Sequence, residues 1–173
     1  MAGQYTGIGA FRHRTTLRQL IRETDSKTVL DFGCGLGIHL VMRDHEKLFA
    51  KTGVYAETWA EALGVERVDG YDPANKEYAT FPTQTYDCVY SVDVAEHLSE
   101  EDVPWIITEL FSLTIKCLFV TIALVPAKKN LPNGENAHIT MKPREWWLGH
   151  FEHAAAKFPQ VRWQAVFEEG AKK

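Results

Sequence analysis

Three short stretches carry residue types suited to binding chemistry. The first is Val29 to Gly37, VLDFGCGLG. A β-branched, apolar run ends in Asp31, a glycine-rich turn comes next, and an amphipathic segment follows. That order predicts strand, tight loop and helix, which brings backbone N–H groups to a helix N-terminus where a carboxylate or phosphate can be held. Gly33, Gly35 and Gly37 are spaced G-x-G-x-G. The dinucleotide fingerprint needs G-x-G-x-x-G, and Ile38 occupies its last glycine position, which argues against a nicotinamide dinucleotide.

The second stretch ends Arg67 to Tyr71 with Asp72-Pro73, and the third is YDCVYSV (Tyr86 to Val92) followed by DVAEHL. Asp31 can orient the glycine loop or reach a ligand ammonium, directly or through water. A carboxylate at the position of Asp72 can accept both hydroxyls of a ribose, or it can serve as a turn residue before proline. His97, in the AEH run, reads as a residue at the start of a helix, hydrogen-bonded to the sheet.

These residues need a sheet to position them. Residues 11–24 place Leu17, Leu20 and Ile21 on one face of an amphipathic helix. Thr28 to Phe32 is the first buried strand, and a helix runs from the glycine loop to about Ala50. Residues 51–66 read as an insertion, in which Tyr55 and Trp59 either pack onto the core or cover part of the site. Arg67 to Tyr71 is the second strand. Asn75 to Thr85 is poor in apolar residues, so any third strand there is short. Tyr86 to Val92 and Lys116 to Val125 are further buried strands, separated by a helix whose start Pro104 places near Val103. Pro143 opens a helix that puts Trp147, Phe151, Ala154, Ala155 and Phe158 on one face, and Val161 to Phe167 is the last strand. Strands alternating with helices predict one α/β domain over residues 1–173, with a Rossmann-like, doubly wound, mostly parallel sheet and helices on both faces. Ligands bind such sheets beyond the carboxyl ends of the strands, where all three stretches fall.

Composition narrows the function classes. The formal charge of −4 and a pI of about 6 argue against a broad electrostatic grip on nucleic acid or an anionic membrane. No apolar run reaches the ~20 residues of a membrane span, and the MAGQYTGIGAFRHR start lacks the apolar core of a signal peptide. Three cysteines (Cys34, Cys88 and Cys117) fit reduced thiols in a cytoplasmic protein better than disulfides.

Taken together, VLDFGCGLG, GYDPA and YDCVYSVDVAEHL resemble the class I S-adenosylmethionine-dependent methyltransferases. They match in turn that family's glycine-rich motif, its acidic second-strand end and its D-x-x-E-H motif. The likeness runs from about Thr28 to Phe167, and the ending PAKKNLPNGENAH…KPREWW is similar to a subgroup of small bacterial and phage members. The resemblance implies the family fold, shortened at its C-terminal hairpin. It implies that backbone at Gly33, Cys34 and Gly35 holds the methionyl part of S-adenosylmethionine, with Asp31 near its ammonium. Asp72 then binds the ribose, Pro73 packs near the adenosine, and Ser91, Val92 and Asp93 line the methionyl side. Two departures stand out. The span from Gly37 to Asp72 is long, which brings Asp69 in as a rival to Asp72. No acidic residue follows a third strand to meet the adenine, since Glu77 falls too early, and this leaves backbone near Thr80 and Phe81.

His138, in the loop NGENAHIT, is the candidate base or acceptor-orienting group, with Asn136 to orient it and Trp146 to wall the pocket. His150 and His153 lack a convincing third ligand, so no metal is assigned. The absence of a (D/N/S)-P-P-(Y/F) motif and the acidic charge argue against a nucleic-acid base as acceptor. A small-molecule or sugar-like acceptor is the expectation. Two other readings stay open: an enzyme that cleaves the cofactor as a lyase or hydrolase, and a non-catalytic cofactor-binding module. In the last case a partner or a second copy covers the final sheet edge.

Overall fold

A computed structural model describes residues 5–42 and 58–170. Thr28–Phe32 forms β1, Arg67–Tyr71 β2, Tyr86–Val92 β3, Thr114–Ala123 β4 and Arg162–Glu168 β5. All pairings are parallel, in the order β2-β1-β3-β4-β5. The chain steps outward from β1 to β2 on one side and then crosses to β3 on the other. The strand order therefore reverses at β1 and β3, and a crevice opens above their carboxyl ends.

The alternation of side chains explains why helices cover both faces. Leu30, Phe32, Val89, Leu118, Val120 and Ile122 point to one face. There they meet α4 (Val103–Ser112) and α5 (Arg144–Ala155) through Ile106, Ile107, Leu110, Trp147 and Phe151. Val29, Cys88, Tyr90, Cys117 and Phe119 point to the other face, against Leu17, Leu20 and Ile21 of α1 (Arg14–Glu23) and against Trp59 and Leu63 of α3 (Trp59–Leu63). Period-2 alternation in three central strands is what two covered faces require. Burying each large side chain such as Phe151 or Trp147 contributes about 1.5–3 kcal/mol. Among the described residues no helix is long and apolar enough to cross a membrane.

Three expectations are corrected, and the core packing expected of Trp59 is met. The helix after the glycine loop, α2 (Ile38–Val41), is a single turn, because Met42 leaves helical space with ψ 134°; residues 43–50 lie outside the described ones. Within the expected insertion, α3 forms at Trp59 because Thr58 and Glu61 make a reciprocal capping box, each accepting the other's backbone N–H at 3.2 Å. Trp59 is core, and Tyr55 lies outside the described residues. No third strand forms between Asp72 and Thr85. Tyr78 donates to Asn75 O and Asp72 donates to Tyr78 O, which folds this polar segment into turns, and β2 is left as the sheet edge. Finally, β4 begins two residues earlier than its apolar run, at Thr114, while α4 begins at Val103 as Pro104 requires.

Candidate active site

A cavity of about 570 Å³ opens at the carboxyl ends of β1, β2 and β3. Asp31 and Gly33 form its floor, with Tyr71, Asp72 and Pro73 on the β2 side and Val92, Asp93 and Val94 on the β3 side. The segment Tyr5 to Ala10, which leads through a 3₁₀ turn (Ile8–His13) into α1, supplies a further wall. Leu98, Trp105 and Ile106 stand at another side, as does His97.

The glycine loop is built differently from the anion cradle its sequence suggests, because its N–H groups are committed inside the chain. Gly33 and Cys34 both donate to Tyr71 O (2.7 and 3.1 Å), Leu36 to Tyr5 O (2.8 Å), Gly37 to Cys34 O (2.9 Å) and Ile38 to Thr6 O (3.3 Å). Gly35 N–H donates to Asp72 Oδ2 at 2.8 Å. Glycine is required here by close approach: a Cβ on Gly33, at φ 88°, would lie 2.3 Å from Val94 Cγ2, and one on Gly35 would lie 2.3 Å from Tyr5 O. Gly33 thus reaches the cavity, whereas Cys34 and Gly35 sit behind the wall. Burial pushes the Cys34 thiol up, so it stays protonated.

Asp31, the penultimate residue of β1, is almost fully buried. Its Oδ2 lies 2.6 Å from His39 Nε2, whose ring also approaches Tyr90 Oη (3.3 Å), and Tyr90 Oη in turn accepts Trp59 Nε1–H at 2.9 Å. Burial raises the Asp31 pKa, and the hydrogen bond from His39 pulls the other way. Asp72, not Asp69, reaches the cavity: Asp69 is taken by Tyr86 Oη–H (2.9 Å) and by Arg67. Asp72 also accepts Ala74 N–H through Oδ1 at 2.9 Å. Asp93 has a left-handed φ of 57°. Its Oδ1 accepts Thr121 Oγ1–H (2.8 Å) and its Oδ2 accepts Arg12 Nη2–H (2.6 Å). Ser91, one residue earlier, is buried within β3 and off the cavity wall.

Glu96 is buried beneath this end of the sheet. Its Oε1 accepts Ala123 N–H at 3.0 Å, and Oε2 has no partner among the described residues. Desolvation pushes its pKa up to about 8. Next to it, His97 Nδ1 is 2.7 Å from Ala137 O, and its ring packs on Tyr5 (5.0 Å between centroids) and on His138 (4.8 Å). His138 Nδ1 is 2.6 Å from Val125 O, so His138 stands behind His97 and does not line the cavity. Asn136 fixes the loop: its Oδ1 accepts Ala127 N–H and His138 N–H (2.9 and 3.0 Å).

Sequence reasoning thus brings Asp31, Gly33, Asp72, Pro73, Val92 and Asp93 to one cavity. It missed His39, Arg12, the Tyr5 wall and Trp105, and it gave His97 only a structural role. His97 carried a signal, since it lies five residues after β3 in the same run as Asp93. The others come from remote segments that only the fold brings close. Trp146 is corrected as well: it packs on His150 (4.3 Å between centroids) and under Lys142, away from the cavity.

This geometry, a doubly wound parallel sheet with an acidic second-strand end over a glycine loop, accords with the family comparison. The family model described as a methyltransferase domain matches residues 8–168, and the chain belongs to that family. No curated protein and no solved structure matches it.

Proposed function

We propose that the chain is an S-adenosylmethionine-dependent methyltransferase acting on a small-molecule or sugar-like acceptor. The observation that carries this reading is Asp72 at the end of β2, facing a cavity whose described wall has three carboxylates (Asp31, Asp72 and Asp93) and neither lysine nor arginine. Such a wall suits a cationic ligand and disfavours a pyrophosphate. When bound, the cofactor supplies a methyl group activated by a sulfonium.

Each carboxylate oxygen has more than one acceptor direction, so Asp72 can take ribose hydroxyls while keeping its bonds to Gly35 and Ala74. Pro73 and Tyr71 offer apolar surface to the adenosine. Asp31, oriented by His39, faces the ammonium, and Val92 and Asp93 border the methionyl part. Gly33 lets the ligand approach the backbone. Cys34, Gly35 and Ser91 act from behind, holding the loop and the β3 end that the ligand touches. His138 acts on the acceptor side through the ring it packs against. The cavity volume lies within the ~300–1,000 Å³ of small-molecule sites, which supports a small acceptor.

Incubation with the cofactor tests the reaction type. Transfer gives adenosylhomocysteine only when an acceptor is present. Release of methylthioadenosine or homoserine lactone without any acceptor contradicts it.

A further inference from the structure

The acceptor itself is constrained by one ring nitrogen. His97 Nδ1 lies 2.7 Å from the carbonyl oxygen of Ala137. A carbonyl only accepts, so Nδ1 carries the hydrogen, and in the neutral ring the lone pair is on Nε2. That nitrogen has no hydrogen-bond partner among the described residues, and His97 lines the cavity. The ring is held on three sides: by the bond to Ala137, by Tyr5 and by His138. His138 is fixed in the same tautomer by Val125 O. Burial and the neighbouring His138 ring lower the His97 pKa, which keeps the imidazole neutral near pH 7.

Among the described residues, each carboxylate that borders this cavity is already engaged. Asp93 is held by Arg12 and Thr121, Asp72 by two backbone N–H groups, and Asp31 by His39. The described wall has no lysine or arginine to offer a carboxylate-bearing acceptor. The acceptor capacity left on these carboxylates is assigned, in the reading above, to the cofactor, so none of the three is left as a base for the acceptor. What the wall offers is a fixed neutral base.

We infer that His97 is the general base of the site and that the acceptor is a neutral hydroxyl compound. This rests on the methyltransferase reading above. A hydroxyl is a poor nucleophile until its proton leaves, whereas a neutral amine already presents its lone pair. As the acceptor oxygen bonds to the methyl carbon, the carbon–sulfur electron pair leaves on sulfur and the hydroxyl proton passes to His97 Nε2, giving an imidazolium that solvent later deprotonates. His138 is a positioning residue that braces the His97 ring.

Nitrogen NMR of the histidine rings in the full chain tests this without a known substrate. Adenosylhomocysteine is bound first. Benzyl alcohol, benzylamine and benzoate are then added separately as hydroxyl, ammonium and carboxylate probes on one ring. The expected result is an Nδ1–H tautomer at His97, and an Nε2 resonance that moves with benzyl alcohol but not with the other two. In His97→Gln that response is lost, while adenosylhomocysteine binds within about twofold of the unaltered protein. An Nε2–H tautomer, a response to benzylamine in place of benzyl alcohol, or bound adenosylhomocysteine with no alcohol response overturns the assignment alone. Failure of adenosylhomocysteine to bind removes the methyltransferase reading and this one with it.

Discussion

Asp72 Oδ2 accepts the Gly35 N–H at 2.8 Å, which joins the acidic end of β2 to the glycine loop after β1. Asn75 Nδ2–H reinforces the tie by donating to Gly35 O at 2.9 Å. The loop is thereby shaped from the side by the residue proposed to bind ribose, so the stability of the loop and the affinity of the site are linked.

Gly33 and Gly64 separate backbone strain from crowding. Both have a left-handed φ, 88° and 78°, but an added Cβ on Gly33 meets Val94 whereas one on Gly64 meets nothing within 4 Å. Gly64→Ala is expected to cost about 1 kcal/mol and Gly33→Ala about 2–3 kcal/mol or more. Urea denaturation of the two variants checks this order, and equal losses would contradict it.

His39 is expected to stabilise the fold through Asp31. Removing the ring in His39→Ala leaves a buried carboxyl group without its hydrogen-bond partner, which costs about 1–3 kcal/mol. Replacing Asp31 by Asn in the same chain removes the desolvated acid and should recover part of that loss. A double-mutant cycle in urea measures the coupling.

Glu96 sets a pH dependence of stability. Its folded pKa, about 8, lies above the ordinary value of 4.5. The folded state therefore holds this proton more tightly than the unfolded one. The resulting stability is complete below about pH 4.5 and is lost as pH rises to about 8. Glu96→Gln mimics the neutral acid. It should flatten the fall across this window and leave the protein more stable than the unaltered chain above it, by a few kcal/mol at about 1.4 kcal/mol per pKa unit. Thermal midpoints across the window decide it.

The sheet was legible because apolar runs and their punctuation are local signals. Tyr86–Val92 and the Asp72-Pro73 stop could be read without knowing their neighbours. The helix after the glycine loop was overextended because its apolar residues continue past Val41, while the break at Met42 has no glycine or proline to mark it. The loop chemistry was misjudged for a different reason. Its N–H groups are satisfied by Tyr5, Thr6, Tyr71 and Asp72, partners about 30 to 40 residues away that no spacing rule reveals. His138 was chosen over His97 from loop position, and only the packing of the two rings shows which of them meets the cavity.

Trp105 should report ligand binding. It is 59% exposed and borders the cavity, whereas Trp59 and Trp147 are at most 1% exposed. Adenosylhomocysteine is expected to change the intrinsic fluorescence. Trp105→Phe should abolish that change while shifting stability by less than about 0.5 kcal/mol. A change that survives the substitution would place the ligand elsewhere.

Calorimetric titration with adenosylhomocysteine, comparing the unaltered protein with Asp72→Ala, tests the proposed site most directly. The account predicts one ligand per chain and a loss of at least about tenfold in affinity, or ~1.4 kcal/mol, in the variant. Asp72→Asn, which keeps one acceptor oxygen, should fall between the two. Equal affinity in the unaltered protein and a folded Asp72→Ala would contradict it.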